Sequence, residues 1–214
     1  MNAKKRDFQN WSPLRIFLSY FANHKRLFAL DISSAIFIAL IDLAFPLVTR
    51  KALYDLLPNG KFQVFFQMMA VVVLFYIIRA GLNFVVCYFG HTFGIRVEAD
   101  IREDLFTHMQ EMSFDFYDSN RTGQLMSRLT SDLFELTELA HHGPEDVVTS
   151  AFTILGALIV MAKIRWELAL VVGIMIPVFL VVVMTMRSGM SRASAIVKKK
   201  TGHINTEIES SLSG

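Results

Sequence analysis

Charged side chains inside long apolar stretches are the residues of this sequence best placed to do chemistry. Asp31 and Asp42 interrupt the apolar stretch that begins near Leu27, and Arg79 interrupts the next one. Ionisable groups in a membrane-spanning segment are costly to bury, so they mark ion pairs, polar cavities or translocation pathways. We therefore treat these three positions as candidate functional sites.

Asp31 and Arg79 are expected to lie at a similar depth in the bilayer. Asp31 lies about one helical turn from the start of its stretch. Arg79 lies about 17 residues into the next stretch, counted from its beginning at the opposite face of the bilayer, or about 26 Å down a hydrocarbon core of about 30 Å. We predict that the two residues form an ion pair or face a shared watery cavity. The alternative is that the long side chain of Arg79 extends to the headgroups.

Asp42 is a candidate for contact with a transported substrate. It lies deeper in its stretch than Asp31, four residues before Pro46. Its carboxylate either faces an internal cavity or accepts hydrogen bonds from neighbouring helices, and we favour the cavity. Asn83 is a weaker candidate for the same cavity.

The sequence predicts no catalytic residue and no metal site. His141 and His142 are adjacent, so on a helix their side chains point about 100° apart. We identify neither a cysteine nor a carboxylate at ligand spacing beside them. The lone Cys87 excludes an internal disulfide. No nucleophile, base and metal ligand occur together in a pattern that indicates an enzyme.

The composition is that of an integral membrane protein. Of the 214 residues, 53% are hydrophobic and only 19% are charged, whereas soluble domains contain about 25% charged residues. The net charge of +2 comes from scattered basic residues, which argues against nucleic acid as a partner. We predict an all-α membrane protein whose surroundings are the lipid bilayer.

Four stretches are long enough to cross a bilayer as helices, which takes about 20 apolar residues. They cover about 27–48, 62–93, 147–162 and 168–186. Basic residues concentrate on one side of these spans, which predicts a cytoplasmic N-terminus. Residues 1–24 are predicted to form that cytoplasmic N-terminus, with an interfacial elbow helix that has Pro13 in its first turn.

The segment of about 95–146, between the second and third spans, keeps a helical pattern. Val97, Ile101 and Leu105 recur at helical spacing, and so do Leu125 and Leu129. The simplest interpretation is that the second and third helices project well beyond the membrane and turn back around 114–123. The fourth helix is expected to extend in the same way.

Several stretches resemble those of one transporter family. Residues 99–132, with the sequence ADIREDLFTHMQEMSFDFYDSNRTGQLMSRLTSD, are similar to the first intracellular loop of ATP-binding-cassette (ABC) exporters. The stretch WELAL at 166–170, with Pro177, resembles the short outer turn into the fourth helix of that family. The stretch INTEIESSLSG at 204–214 resembles the run toward the second intracellular loop. The resemblance covers nearly the whole chain from about Pro13.

The resemblance implies a bundle of six helices followed by a nucleotide-binding domain that binds ATP and Mg, in a homodimer or heterodimer. Residues 25–214 supply four of the six helices and contain no phosphate-loop motif. We therefore expect an incomplete ABC exporter bundle with long helical cytoplasmic extensions, from the N-terminal part of a larger polypeptide. No cofactor is expected in the chain itself.

The turn at 114–123 corresponds in the family to the coupling helix, which contacts the nucleotide-binding domain. The residues implied in that contact are Phe114, Asp115, Phe116, Tyr117, Asp118, Ser119, Asn120, Arg121, Thr122 and Gly123. The implied function is that of the permease part of an ATP-driven exporter, which works by alternating access in the bacterial plasma membrane. The full-length protein would then be an ATP-hydrolysing translocase.

The alternative is a stand-alone four-helix channel or membrane sensor whose cytoplasmic helices bind a partner. The two hypotheses differ in whether the native reading frame continues into two more spans and a phosphate loop. A membrane enzyme is disfavoured, because the sequence shows no catalytic constellation.

Overall fold

The chain is helical throughout the part that the computed structural model describes, which is residues 11–120 and 122–213. Its helices are α1 (Pro13–Phe21), α2 (Lys25–Lys51), α3 (Phe62–Gln110), α4 (Phe114–Ser119), α5 (Thr122–Ser127), α6 (Leu133–Ile164) and α7 (Trp166–Ser213). Short turns of 3-10 helix at Ala22–His24 and of π-helix at Ala52–Leu56 and Arg128–Asp132 join some of them. The prediction of an all-α protein is confirmed. Residues 1–10 of the predicted N-terminal segment lie outside the described residues.

Four helical runs in the described residues are long and apolar enough to cross a membrane. The predicted spans fall within α2, α3, α6 and α7. At about 1.5 Å per residue, the 49 residues of α3 extend over about 74 Å. A hydrocarbon core measures only about 30 Å. The prediction that the helices continue far beyond a bilayer is therefore confirmed.

Helices α2 and α3 form an antiparallel hairpin. The turn between them contains Gly60, whose φ of 66° is in the left-handed region that glycine adopts most easily. The register is fixed by aromatic contacts: Phe45 meets Tyr76 with ring centroids 5.4 Å apart, and Phe28 meets Phe93 at 5.3 Å. Residues at similar distances from the turn therefore face each other.

The best-packed region lies at the end of this hairpin that is remote from the turn. Its buried hydrophobic cluster joins α1, α3 and α6 and consists of Tyr20, Phe21, Phe93, Val97, Ile101, Leu133 and Ala140. Helix α1 is also tied to α3 by polar contacts. The Tyr20 hydroxyl donates to Asp104 (2.8 Å), and the Asn23 amide donates to Asp100 (2.7 Å). Packing here holds the N-terminal helix against the projecting part of α3.

The chain divides into two compact units, Met1–Leu155 and Gly156–Gly214. The first contains the hairpin, the N-terminal helix and most of α6. The second contains the end of α6 and all of α7, a continuous helix of 48 residues with Pro177 inside it. Large apolar side chains along α7 are exposed, among them Phe179 and Val181. Such a surface is suited to lipid or to further apolar helices.

Candidate functional site

Arg79 and Asp42 form a two-pronged ion pair across the α2–α3 hairpin. The Nε atom of Arg79 donates to Oδ1 of Asp42 over 2.7 Å, and its Nη2 atom donates to Oδ2 over 2.9 Å. This fork-to-carboxylate arrangement is the strongest geometry for such a pair. The side chains are 35% and 39% exposed in this chain. Each charge thereby neutralises the other on the surface of the hairpin.

The predicted pairing of Asp31 with Arg79 is wrong. Asp42, not Asp31, lies opposite Arg79, because an antiparallel hairpin brings together residues at similar distances from its turn. Asp31 lies about 16 Å from Asp42 along α2 at 1.5 Å per residue. The prediction counted depth from assumed membrane boundaries and did not count outward from the turn.

Asn83 lies on the same side of α3 as Arg79, since it follows four residues later. Its side chain is exposed. Asp42, Arg79 and Asn83 therefore form a polar strip on an otherwise apolar hairpin. The structure pairs one of the two predicted cavity residues, Asp42, with Arg79, and the other, Asn83, follows Arg79 by about one helical turn.

Asp31 lies in a different polar cluster, with residues of α6. Its side chain is 1% exposed, and its Oδ2 atom lies 3.8 Å from Nδ1 of His141, which is 4% exposed. The same Nδ1 atom lies 3.7 Å from Oε2 of Glu145. These distances exceed those of hydrogen bonds. The cluster thus connects α2 to α6 without direct hydrogen bonds between its members.

Two glycines of α3 make room for this cluster. A Cβ atom at Gly90 would lie 1.9 Å from Cε1 of His141, and one at Gly94 would lie 3.2 Å from Cγ2 of Thr137. Gly90 and Gly94 form a Gly-x-x-x-Gly pattern, which allows close approach of helices in membranes. Sequence analysis missed this motif, although its spacing is visible in the sequence.

The statement that no carboxylate lies at ligand spacing beside the histidines is also wrong. Glu145 follows His141 by four residues, and Glu138 precedes His142 by four. Residues at this spacing share one face of a helix. Asp31 is far away in sequence, and only the tertiary structure brings it to His141.

A polar link between α3 and α6 lies beside the cluster. The Thr137 hydroxyl donates a hydrogen bond to Oε2 of Glu98 over 2.7 Å, and Glu98 also pairs with Arg102. The Nε atom of Arg102 donates to the backbone carbonyl of Leu129 over 3.2 Å. The Glu98–Arg102 pair is therefore part of an interhelical network and not only a pair on one helix.

The turn at 114–123 contains a short helix at the tip of α3. Helix α4 covers six residues, and Phe114 at its start is 90% exposed. Phe116 and Tyr117 are half-buried, and the Tyr117 hydroxyl donates to the carbonyl of Met109 over 2.5 Å. The aromatic side chain that protrudes is therefore that of Phe114, whereas Tyr117 fastens α4 to α3.

Polar residues close the turn on itself. The Ser119 hydroxyl donates to the carbonyl of Asp115, and the Asn120 amide donates to the carbonyl of Phe116, each over 2.8 Å. Asp118 is exposed, and Thr122 and Gly123 are exposed at the start of α5. Arg121, also predicted to belong to this contact, lies outside the described residues. Among the described residues of the turn, Phe114 is the most exposed large apolar side chain.

These features define an all-helical domain with four potential membrane spans and an exposed short helix, α4, at the end of the 49-residue α3. The chain belongs to the ABC transporter transmembrane region family, whose model matches residues 28–214. The resemblance inferred from the loop sequence is confirmed.

Relatives in bacteria include transporters of different descriptions. The chain is 39% identical over 201 residues to an uncharacterized ABC transporter ATP-binding protein, YwjA, of Bacillus subtilis, covering 94% of this chain and 35% of that protein. It is 26% identical over 197 residues to an ATP-dependent lipid A-core flippase of Idiomarina loihiensis, covering 92% and 34%. The chain therefore spans about a third of the length of these relatives.

Proposed function

We propose that this chain is part of the permease of an ATP-driven exporter and moves a substrate by alternating access. The observation that carries the proposal is the exposed Phe114 on a short helix at the end of a 49-residue helix. An aromatic side chain of this kind, with a polar surround, is suited to a pocket on a partner. We assign this partner as a nucleotide-binding domain.

The geometry of α3 and α4 supports mechanical coupling. Helix α3 runs without a break from Phe62 to Gln110, three residues before α4, so a displacement at one end is passed along a rigid rod. The hydrogen bond from Tyr117 to Met109 fastens α4 to the end of that rod. Closure of nucleotide-binding domains around ATP and Mg would therefore move α3 through Phe114.

The proposed orientation places α4 in the cytoplasm and the hairpin turn outside. Fifteen lysines and arginines flank the spans on the α4 side against five on the other, as expected for a cytoplasmic face. Helix α1 is then an elbow at the inner surface of the plasma membrane, held by Tyr20 and Asp104. The partners are a nucleotide-binding domain, a second transmembrane half and the lipid bilayer.

The strip of Asp42, Arg79 and Asn83 is the proposed contribution of this hairpin to the translocation path. Its two charged side chains remain more than a third exposed in this chain. Polar residues in membrane helices face bundle interiors or watery cavities and not lipid. We therefore place the strip toward the interior of the bundle.

Site-specific photo-crosslinking of the full-length protein in lipid tests the docking proposal. A benzophenone amino acid replaces Phe114, and a matched protein carries it at Phe37, which is also exposed but lies in α2. The expected result is a crosslink from position 114 to the nucleotide-binding domain and none from position 37. Crosslinks from position 114 to lipid alone would overturn the proposal.

A further inference from the structure

Two buried polar atoms in the cluster around His141 have no hydrogen-bonding partner. They are Oδ1 of Asp31 and Nδ1 of His141. Buried polar atoms are nearly always satisfied, so such an exception requires an explanation. Both atoms are already sealed from solvent by this chain, so a further segment of the protein cannot reach them without displacing what covers them.

The cluster also holds two carboxyl groups that lack a cationic side chain as partner. Asp31 is almost completely buried, and Glu145 is 16% exposed. Among the described residues, no lysine or arginine lies within ion-pair distance of either carboxylate. Burying carboxylates without a cation is unfavourable. A cation between the two carboxylates would offset their charge and give Nδ1 of His141 a partner.

The spacing of the donor atoms fits a small metal ion. One ligand atom each from Asp31, His141 and Glu145 lie within 4.8 Å of one another, and Nδ1 of His141 is 3.7 and 3.8 Å from the two carboxylate oxygens. Donors around a tetrahedral ion with bonds of about 2.1 Å are about 3.4 Å apart. The two distances from His141 exceed this spacing by a few tenths of an ångström, and the remaining pair of donors lies within 4.8 Å.

We propose that Asp31, His141 and Glu145 bind a divalent transition-metal ion of the Zn²⁺ class. An imidazole with two carboxylates suits such ions. Ca²⁺ needs six to eight oxygen ligands, and Mg²⁺ needs near-octahedral oxygen geometry, so both fit poorly. His91 and His142 lie close enough to His141 to form a second donor set, but both are exposed. The buried carboxylate set is therefore the one we assign.

A cavity adjoins His141, one of the three proposed ligands. This cavity of about 230 Å³ between α3 and α6 is lined by both polar and apolar residues, including His91, Glu98, Glu138 and His141. Of its two glutamates, Glu98 is paired with Arg102, so Glu138 is the carboxylate that can attract a cation toward His141. A bound ion would join Asp31 of α2 to His141 and Glu145 of α6, and so fasten two helices at the end of the hairpin remote from its turn.

Metal content of the full-length protein tests this inference without ATP or transport. A chelator removes bound metal from the protein, which is then equilibrated with Zn²⁺, and its zinc content is measured by elemental mass spectrometry. Glu145→Gln and the control Glu135→Gln are treated in the same way. Glu135 is exposed on the same helix. The wild type and Glu135→Gln are each expected to hold one more Zn²⁺ per chain than Glu145→Gln. Loss of the Glu145 carboxylate should lower the affinity for Zn²⁺ about tenfold or more.

Asp31→Asn provides a second, nearly isosteric variant, and thermal unfolding establishes that each variant is folded. Added Zn²⁺ should raise the Tm of the wild type and of Glu135→Gln but not of Glu145→Gln or Asp31→Asn. Equal Zn²⁺ content in all four proteins would overturn the assignment. The assignment would also be overturned if His91→Asn lost the ion and Glu145→Gln kept it, because the ligands would then be the histidines.

Discussion

Arg79 binds Asp42 through two hydrogen bonds that join the two arms of the α2–α3 hairpin. This pair keeps two ionised groups together in a segment where an isolated charge is costly. Removing one partner leaves the other charge uncompensated. The pair therefore controls both the stability of the hairpin and the polarity of its exposed strip.

The Arg79–Asp42 pair should show strong energetic coupling. We expect Arg79→Gln and Asp42→Asn each to destabilise the protein. The double variant should lose less free energy of unfolding than the two single variants lose together. A coupling free energy of about 0.5–3 kcal/mol is expected for contacting residues. Thermal unfolding of the full-length protein in lipid measures it. The control is the double variant of Arg79→Gln with Asp31→Asn, in which the two losses of free energy should add. Coupling of Arg79 to Asp31 but not to Asp42 would contradict the assignment.

Gly90 should tolerate no side chain. A Cβ atom at this position would overlap the ring of His141, so Gly90→Ala must displace either α6 or the ring. Overpacking of this kind costs about 1–3 kcal/mol. Gly81→Ala is the matched control, because no atom lies within 4 Å of a Cβ placed there. The Tm of each variant measures the effect, and equal Tm values would argue against close contact of α3 with α6.

Phe114 should matter for coupling and not for folding. It is 90% exposed, so Phe114→Ala is expected to change the free energy of unfolding by only about 0.5 kcal/mol or less. If it fills a pocket on the nucleotide-binding domain, its loss weakens docking by about 2 kcal/mol or more. Transport-coupled ATPase activity of the full-length protein in lipid should therefore fall. Phe37→Ala is the control, and unchanged activity of Phe114→Ala would count against docking.

Tyr117 should hold α4 in place. Tyr117→Phe removes the hydrogen bond to the Met109 carbonyl, worth about 0.5–1.5 kcal/mol. Amide hydrogen exchange in α4 is expected to accelerate, while exchange in the middle of α3 stays the same. Tyr88→Phe is a suitable control, because Tyr88 is exposed within α3. Equal exchange of α4 in both variants would show that the hydroxyl does not fasten this helix.

Sequence alone determined the helices and the family. Apolar length and helical periodicity are local properties, so they predicted α2, α3, α6 and α7, and the long projection of α3. The stretch around Phe114 identified the family because its residues are close together in the chain. The spacing of Gly90 and Gly94 is equally local and by itself indicates the close approach of another helix.

Only the tertiary structure decided which charged groups meet. The partner of Arg79 depends on the register of the hairpin, which the contacts Phe45–Tyr76 and Phe28–Phe93 fix on either side of it. The partner of Asp31 depends on how α6 crosses α3, which no periodicity in either helix specifies. Helical pattern fixes the face on which a side chain lies, whereas contact between helices depends on their relative shift and crossing. The cluster of Asp31 and His141 was therefore visible only after the helices were packed.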